Sequence, residues 1–312
     1  MPRLLILARQ ADQYRQLVEA ADMPELELVS TSSATEAGSI GVGCEIFFGE
    51  PSLIRKVLPS LTDLRWVQST WAGVEPLLDP SLRRDYILTN ARGVFGELMS
   101  EYVFGYLLAR ERRIFERYQA QKEHRWDNTL TGMLRGKTIG LLGVGSIGAH
   151  LAATAKHFGM TVHGYTRASE DCSDVDAYYH GDKLLDFARE LDYLVGVLPN
   201  TSDTRHIVGA DFLNALPAHA IFINVGRGTT LDESALVKAL ETGQIAGAVL
   251  DVFKQEPLPE GHPFWTTPNL LITFHTSAPS LPADLTNLFV ENYHRFIAGK
   301  ELKYQVDFER GY

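Results

Sequence analysis

Three polar residues stand at or shortly beyond the ends of apolar runs late in the chain: Arg227 in NVGRG, Glu256 in KQEP and His275 in ITFH. The planar fork of an arginine binds a carboxylate and polarises a carbonyl. A histidine gives or takes a proton near neutral pH, and a carboxylate beside it favours its charged form. Singly, each residue has a plain structural reading: a surface strand end, a solvated loop acid, a satisfied core histidine. Converging on one substrate, they form a complete set for acid–base work at a carbonyl that neighbours a carboxylate. The remaining nine of the ten histidines read as structural or surface residues.

A second signal lies upstream. Residues 138–148 read TIGLLGVGSIG, a short apolar strand, then Gly143, Gly145 and Gly148, then a helix that opens at Ser146. In that setting G-x-G-x-x-G is a dinucleotide fingerprint. The first glycine permits the turn, the second lets a pyrophosphate approach, and the third lets helix and strand pack closely. The first N–H groups of the helix, at Ser146 and Ile147, are offered to an anion. In an open α/β sheet, ligands sit beyond the carboxyl ends of the strands. Those ends carry Thr166 and Arg167 after the second strand, Pro199 and Asn200 after the third, and Arg227 after the fourth. Asp251 follows the fifth and His275 the sixth. The chemical set and the fingerprint therefore point to the same edge of one sheet.

The elements that must position these residues alternate along the chain. Short apolar runs at 3–8, 45–49, 64–70 and 86–90 predict buried strands, and apolar spacing at three and four predicts one long helix over 98–122. The strand pattern then restarts at 138–142, 160–164, 191–198, 220–225, 246–250 and 269–274. A helix over 146–158 is expected to stop at Gly159. Strand–helix alternation implies a doubly wound parallel sheet, and here it occurs twice. The expected architecture is α/β: a Rossmann-type nucleotide domain, 99–281, inserted in a flavodoxin-like substrate domain, 1–98 plus 282–312. The last segment, 282–298, is an amphipathic helix that crosses back to the first domain.

At 312 residues two domains are the natural division. The net charge of −10, with no basic block, argues against nucleic acid or an anionic membrane as partner. An apolar stretch of five residues near the start is too short for a signal peptide or a membrane span. Cys44 and Cys172 lie far apart and show no metal-ligand spacing, as expected of free thiols in a reducing compartment, and no metal is expected. A cytoplasmic protein is the expectation.

The chain resembles the D-isomer-specific 2-hydroxyacid dehydrogenases, most nearly the short glyoxylate/hydroxypyruvate reductases of that family. The matching stretches are LRGKTIGLLGVGSIG (134–148), LPNTSDTRHIVG (198–209), FINVGRGTTLDESALVKAL (222–240), AGAVLDVFKQEPLPEGHPFW (246–265) and NLLITFHTSA (269–278). In the first domain the match is mainly at QSTWAGVE (68–75) and NARGVFGELMSEYVFGYLLA (90–109). The resemblance implies a catalytic trio at Arg227, Glu256 and His275, with Gly143, Gly145, Ser146, Ile147, Gly148, Thr166, Arg167, Pro199 and Asp251 along the cofactor. It implies that Ala72 and Gly73 offer backbone amides to the substrate carboxylate, beside Arg227 and His275. A small 2-oxo or 2-hydroxy acid as substrate and a homodimer built through the nucleotide domain are further implications.

Three departures from the family pattern bear on function. Phe274 stands before His275 where proline is common. Trp71 precedes the carboxylate turn, where a bulky aromatic either narrows the site toward small acids or packs inside. Thr166, followed by Arg167, replaces the acid that in NAD users accepts from the adenosine ribose. That replacement predicts NADP(H) as the preferred cofactor, with NAD(H) possible. Two other readings stay open: a nucleotide-sensing binding protein of the same fold with little turnover, and a dehydrogenase for a different 2-hydroxy acid.

Overall fold

The computed structural model describes residues 1–21 and 23–311, and these divide into two compact units, Met1–Val94 with Ser280–Tyr312 and Phe95–Pro279. The first holds a five-stranded sheet, entirely parallel, in the order β2-β1-β3-β4-β5. Its strands are β1 (Arg3–Leu7), β2 (Glu27–Thr31), β3 (Ile46–Gly49), β4 (Trp66–Ser69) and β5 (Ile87–Thr89), joined in part by helices α1 (Ala11–Ala20), α2 (Ala34–Ile40) and α3 (Pro51–Val57). The central strands are apolar on both faces because helices cover both. The C-terminal helix, Pro282–Ile297, adds Phe289, which stacks on Phe48 and Trp66 at ring distances of 4.6 and 5.2 Å. Buried Asn292 is fully paired: it donates to Gln68 Oε1 and Lys303 O at 3.0 and 3.1 Å and accepts from Lys303 N.

The second unit carries seven parallel strands: β6 (Thr138–Leu142), β7 (Thr161–Tyr165), β8 (Ala177–Tyr179), β9 (Tyr193–Gly196), β10 (Ile221–Asn224), β11 (Gly247–Leu250) and β12 (Leu270–Ile272). Their order is β12-β11-β10-β9-β6-β7-β8. The order reverses between β6 and β9, so the crevice that such a sheet offers a ligand opens where the glycine turn stands. Two edge strands, β2 and β8, are not among the strands that the apolar runs predict. An edge strand pairs on one side only, and both are half-polar or very short, so neither makes an apolar run.

The single helix expected over 98–122 is instead two, α4 (Gly96–Glu111) and α5 (Ile114–Lys122). Arg113 takes a left-handed backbone, φ 53°, and breaks the hydrogen-bond ladder without interrupting the apolar spacing. Helix α4 is buried along Val103, Phe104 and Leu107, but Ile114, Phe115 and Tyr118 of α5 are exposed. The helix after the glycine turn, α6 (Ser146–His157), does end at Gly159, whose φ is +69°. Among the described residues, no helix is long and apolar enough to cross a membrane.

Candidate active site

The glycine turn leaves β6 with Gly143 at φ +105°, a conformation that L side chains rarely adopt. A Cβ on Gly148 would lie 2.4 Å from the carbonyl oxygen of Gly143, so only glycine lets helix α6 start this close to the strand. Gly145 is the N-cap and brings no side-chain cap, so the first amides of the helix are not taken up by a capping side chain. The turn is a cradle of backbone N–H groups that a pyrophosphate fits. Pro199, beyond β9, is steadied where Thr204 Oγ1 donates to its carbonyl at 2.7 Å.

Arg227 follows β10 and is held from three directions. Asn224, fully buried at the strand end, donates to the Arg227 carbonyl at 3.1 Å and accepts from Gly226 N at 3.2 Å. Thr230 Oγ1 donates to the same carbonyl at 2.7 Å. Next along, a Cβ on Gly228 would lie 1.9 Å from the carbonyl carbon of Phe253. That close approach ties the arginine loop to the loop that carries Glu256.

His275 sits at the end of β12 with φ 56°. A left-handed non-glycine residue costs about 1–2 kcal/mol. Asp251, wholly buried after β11, offsets it. Its carbonyl accepts from His275 N at 2.8 Å, and its carboxylate accepts from Thr276 N at 2.9 Å, Ser277 N at 3.0 Å and the Thr273 hydroxyl. Hydrogen bonds to a charged acceptor are worth about 1.5–3 kcal/mol each, so the anchor outweighs the strain. Phe274, in place of proline, is exposed and leans on Trp265 at a ring distance of 6.2 Å.

The imidazole is aimed by Glu256. Nδ1 of His275 lies 2.8 Å from Glu256 Oε2, while Oε1 accepts from Phe253 N at 2.9 Å. A carboxylate accepts, so Nδ1 carries hydrogen and Nε2 is left for a substrate. The hydrogen bond to Glu256 raises the His275 pKa above the ordinary histidine value, against burial and the charge of Arg227. For Glu256, burial pushes upward, but the bonds from His275 and Phe253 N outweigh it and hold the carboxyl below its usual range. The structure thus brings Arg227, Glu256 and His275 close enough for the arginine charge to act on both partners.

At the other end of the crevice the Thr166 hydroxyl donates to Ser169 O at 2.7 Å, and Ser169 Oγ donates to Asp171 at 2.8 Å. Both hydroxyls are therefore engaged within their own loop. Arg167 lies 3.6 Å from Asp203, both well exposed. Such exposed pairs are worth about 0–1 kcal/mol and yield readily to a better anion. In the first unit, the turn after β4 is stapled from within: Ser69 Oγ donates to Trp71 O at 2.8 Å and Asn90 Nδ2 to Ala72 O at 3.0 Å. Trp71, Ala72 and Gly73 are all partly exposed. Asn224, Thr230 and the anchoring role of Asp251 escape a reading of motifs; for Asn224 and Asp251 the signal is a polar residue at the end of a buried strand.

A switch-point sheet with a backbone phosphate cradle and a guanidinium–carboxylate–imidazole cluster at its strand ends defines a nucleotide-binding oxidoreductase domain. The profile of the D-isomer specific 2-hydroxyacid dehydrogenase, NAD binding domain, matches residues 104–277, and the chain belongs to this family. It is 34% identical over 266 residues to the glyoxylate/hydroxypyruvate reductase A of Yersinia enterocolitica, covering 83% of this chain and 85% of that one. A family member from Aeromonas salmonicida superposes with a TM-score of 0.93 at 43% identity, over 98% and 99% of the two chains. The NADPH-dependent glyoxylate/hydroxypyruvate reductase of Sinorhizobium meliloti, solved with NADP and sulfate, matches over 100% of both chains with a TM-score of 0.88 and 27% identity.

Proposed function

We propose that the protein is an NADPH-preferring reductase that converts a small 2-oxo acid, of the glyoxylate or hydroxypyruvate type, to the D-2-hydroxy acid. The observation that carries this reading is the Glu256–His275 pair beside Arg227, at the strand ends of the sheet that bears the glycine cradle. When bound, the nicotinamide cofactor supplies the hydride that adds to the carbonyl carbon. Arg227 holds the substrate carboxylate and polarises the carbonyl oxygen. His275, charged, gives its Nε2 proton to the forming alkoxide, and Glu256 keeps the ring in place and stabilises its cation. In the first unit, the backbone amides of Ala72 and Gly73 are of a kind that suits a small carboxylate. The relatives named for glyoxylate and hydroxypyruvate support the substrate class. Arg167, with no acid at position 166, supports NADPH over NADH.

The enzyme is a homodimer in this reading, joined through the second unit. The stretch between Trp126 and Leu130 is held at Thr129, whose carbonyl accepts from Arg117 of α5 at 3.1 Å and whose N–H donates to Asp127 at 3.0 Å. Yet Trp126 and Leu130 are each 92% exposed, next to the exposed apolar face of α5. A fixed backbone that presents apolar side chains marks an association surface. A monomeric mass at micromolar concentration would remove this part. The cytoplasm is its place, in keeping with free thiols at Cys44 and Cys172.

The test of function is kcat/KM across a panel of 2-oxo acids with NADPH, alongside direct cofactor binding. Highest values for glyoxylate or hydroxypyruvate support the reading. NADPH binding without turnover of any acid would make the protein a nucleotide sensor, and a clear lead for a larger acid would make it a different dehydrogenase.

A further inference from the structure

Strand β8 runs beside β7 with Tyr179 opposite Tyr165, so the next residues, His180 and Thr166, stand side by side. Nδ1 of His180 is 3.0 Å from the Thr166 carbonyl and 3.1 Å from its hydroxyl oxygen. A carbonyl only accepts, and the hydroxyl has already given its hydrogen to Ser169 O. Nδ1 must therefore carry hydrogen. Nε2 lies 2.8 Å from Glu170 Oε1, a second acceptor. A ring with an acceptor at each nitrogen is fully bonded only as the imidazolium. Two residues back, Tyr178 stacks nearly parallel to the imidazole, and its hydroxyl accepts from Cys172 N at 3.0 Å and donates to Cys172 O at 3.1 Å. Two side chains from the end of β8 thus pin the loop 166–172 on both sides of Arg167.

We propose that His180 is a positioning residue for cofactor selection: its imidazolium ties Thr166 to Glu170 and so fixes the loop that offers Arg167 to the 2′-phosphate. The inference rests on the proposed role of Arg167. Of the charged groups around the ring, Glu170 is in contact. Arg167 pairs with Asp203, Asp171 accepts from Ser169, and Lys183 in the following turn pairs with Asp186. The bond to Glu170, then the bond to the Thr166 carbonyl, raises the His180 pKa above its ordinary value. The tether is therefore complete at low pH and is lost as pH rises through that raised value. NADH carries only a hydroxyl at the 2′ position and does not depend on the loop in this way. The 2′-phosphate itself loses its second proton near pH ~6, which strengthens binding as pH rises, in every variant alike.

The experiment is KM and kcat for NADPH and NADH between about pH 6 and about pH 9 in the wild type, His180→Ala, His180→Asn and Arg167→Ala. For His180→Ala the expected result at the acid end is an NADPH KM raised about tenfold, the loss of one charge-assisted bond, with kcat and the NADH constants unchanged. His180→Asn, whose amide can replace Nδ1 opposite the Thr166 carbonyl, should recover part of this and abolish the rise in NADPH KM at alkaline pH. Equal losses for both cofactors would show a merely structural residue, and an unchanged NADPH KM would show no role; either overturns the inference. If Arg167→Ala loses the NADPH preference while His180→Ala keeps it, the reading of Arg167 stands and this inference alone fails. If Arg167→Ala keeps the preference, the inference falls with that reading.

Discussion

The two ends of the crevice in the second unit are held by different means. Around His275 the anchors are buried: Asp251 binds three successive backbone amides, 275–277, Asn224 holds the Arg227 carbonyl, and Gly228 lies against the Phe253 backbone. Around Arg167 the loop backbone is pinned by part-buried bonds from His180 and Tyr178, but the charged contacts, Arg167 with Asp203 and His180 with Glu170, are exposed. Buried bonds to a charged acceptor are costly to break, whereas exposed pairs are weak and screened by salt. The comparison teaches that the reacting groups are locked by buried bonds, whereas the cofactor-selecting arginine stands on a pinned loop with its own charge in an adjustable, exposed pair. Substitutions at the first end should alter chemistry, and those at the second only the choice of cofactor.

The hardest break of that division is His275→Gln. It should lower kcat for oxo-acid reduction by about 10²–10⁴, the usual range for a lost acid catalyst, with NADPH affinity nearly unchanged. Near-normal turnover would remove His275 from the proton transfer. Next comes Arg227→Ala, expected to cost on the order of 2–5 kcal/mol in kcat/KM for the acid, because the partner charge is left unpaired. Arg227→Lys should rescue little, since an ammonium cannot reproduce the planar fork; full rescue would point to a diffuse electrostatic role.

At the adjustable end, Thr166→Asp with Arg167→Ala should reverse an NADPH preference of about ten- to a hundredfold, while kcat with the better cofactor is kept. A loss of kcat with both cofactors would show that the two ends are not separable. Arg167→Ala alone sharpens the result, because Thr166→Asp also removes the bond to Ser169 O. The smallest effect belongs to Glu256→Gln. Reduction needs charged His275, so its rate holds at low pH and falls as pH rises through the raised pKa of the ring. Without the carboxylate that fall should move to lower pH. An unmoved profile would separate Glu256 from the imidazole.

Much of this architecture is legible in the residues. Interior strands announce themselves because helices cover both faces, and the glycine turn because backbone must approach backbone there. Of the four edge strands, β5 and β12 fall on apolar runs, but β2 and β8 are not legible. AYY at 177–179 is three half-buried residues, so β8 leaves no apolar run. Without β8, nothing places His180 beside Thr166, and the residue reads as one more surface histidine. The break at Arg113 is hidden for the opposite reason: the apolar spacing continues through it, because α5 keeps apolar residues that its own unit does not bury. Asp251 is visible as a strand-end residue, but not that its carboxylate is filled by the histidine loop, since three of its donors are backbone or hydroxyl groups far along the chain.

The most direct measurement is steady-state reduction of glyoxylate by the wild-type protein with NADPH and with NADH. Both ends of the crevice act in that one comparison. The expected result is ready turnover with NADPH and a kcat/KM about ten- to a hundredfold below it with NADH. Absence of turnover with either cofactor would contradict the role given to Arg227, Glu256 and His275. Equal values, or a lead for NADH, would contradict the role given to Arg167.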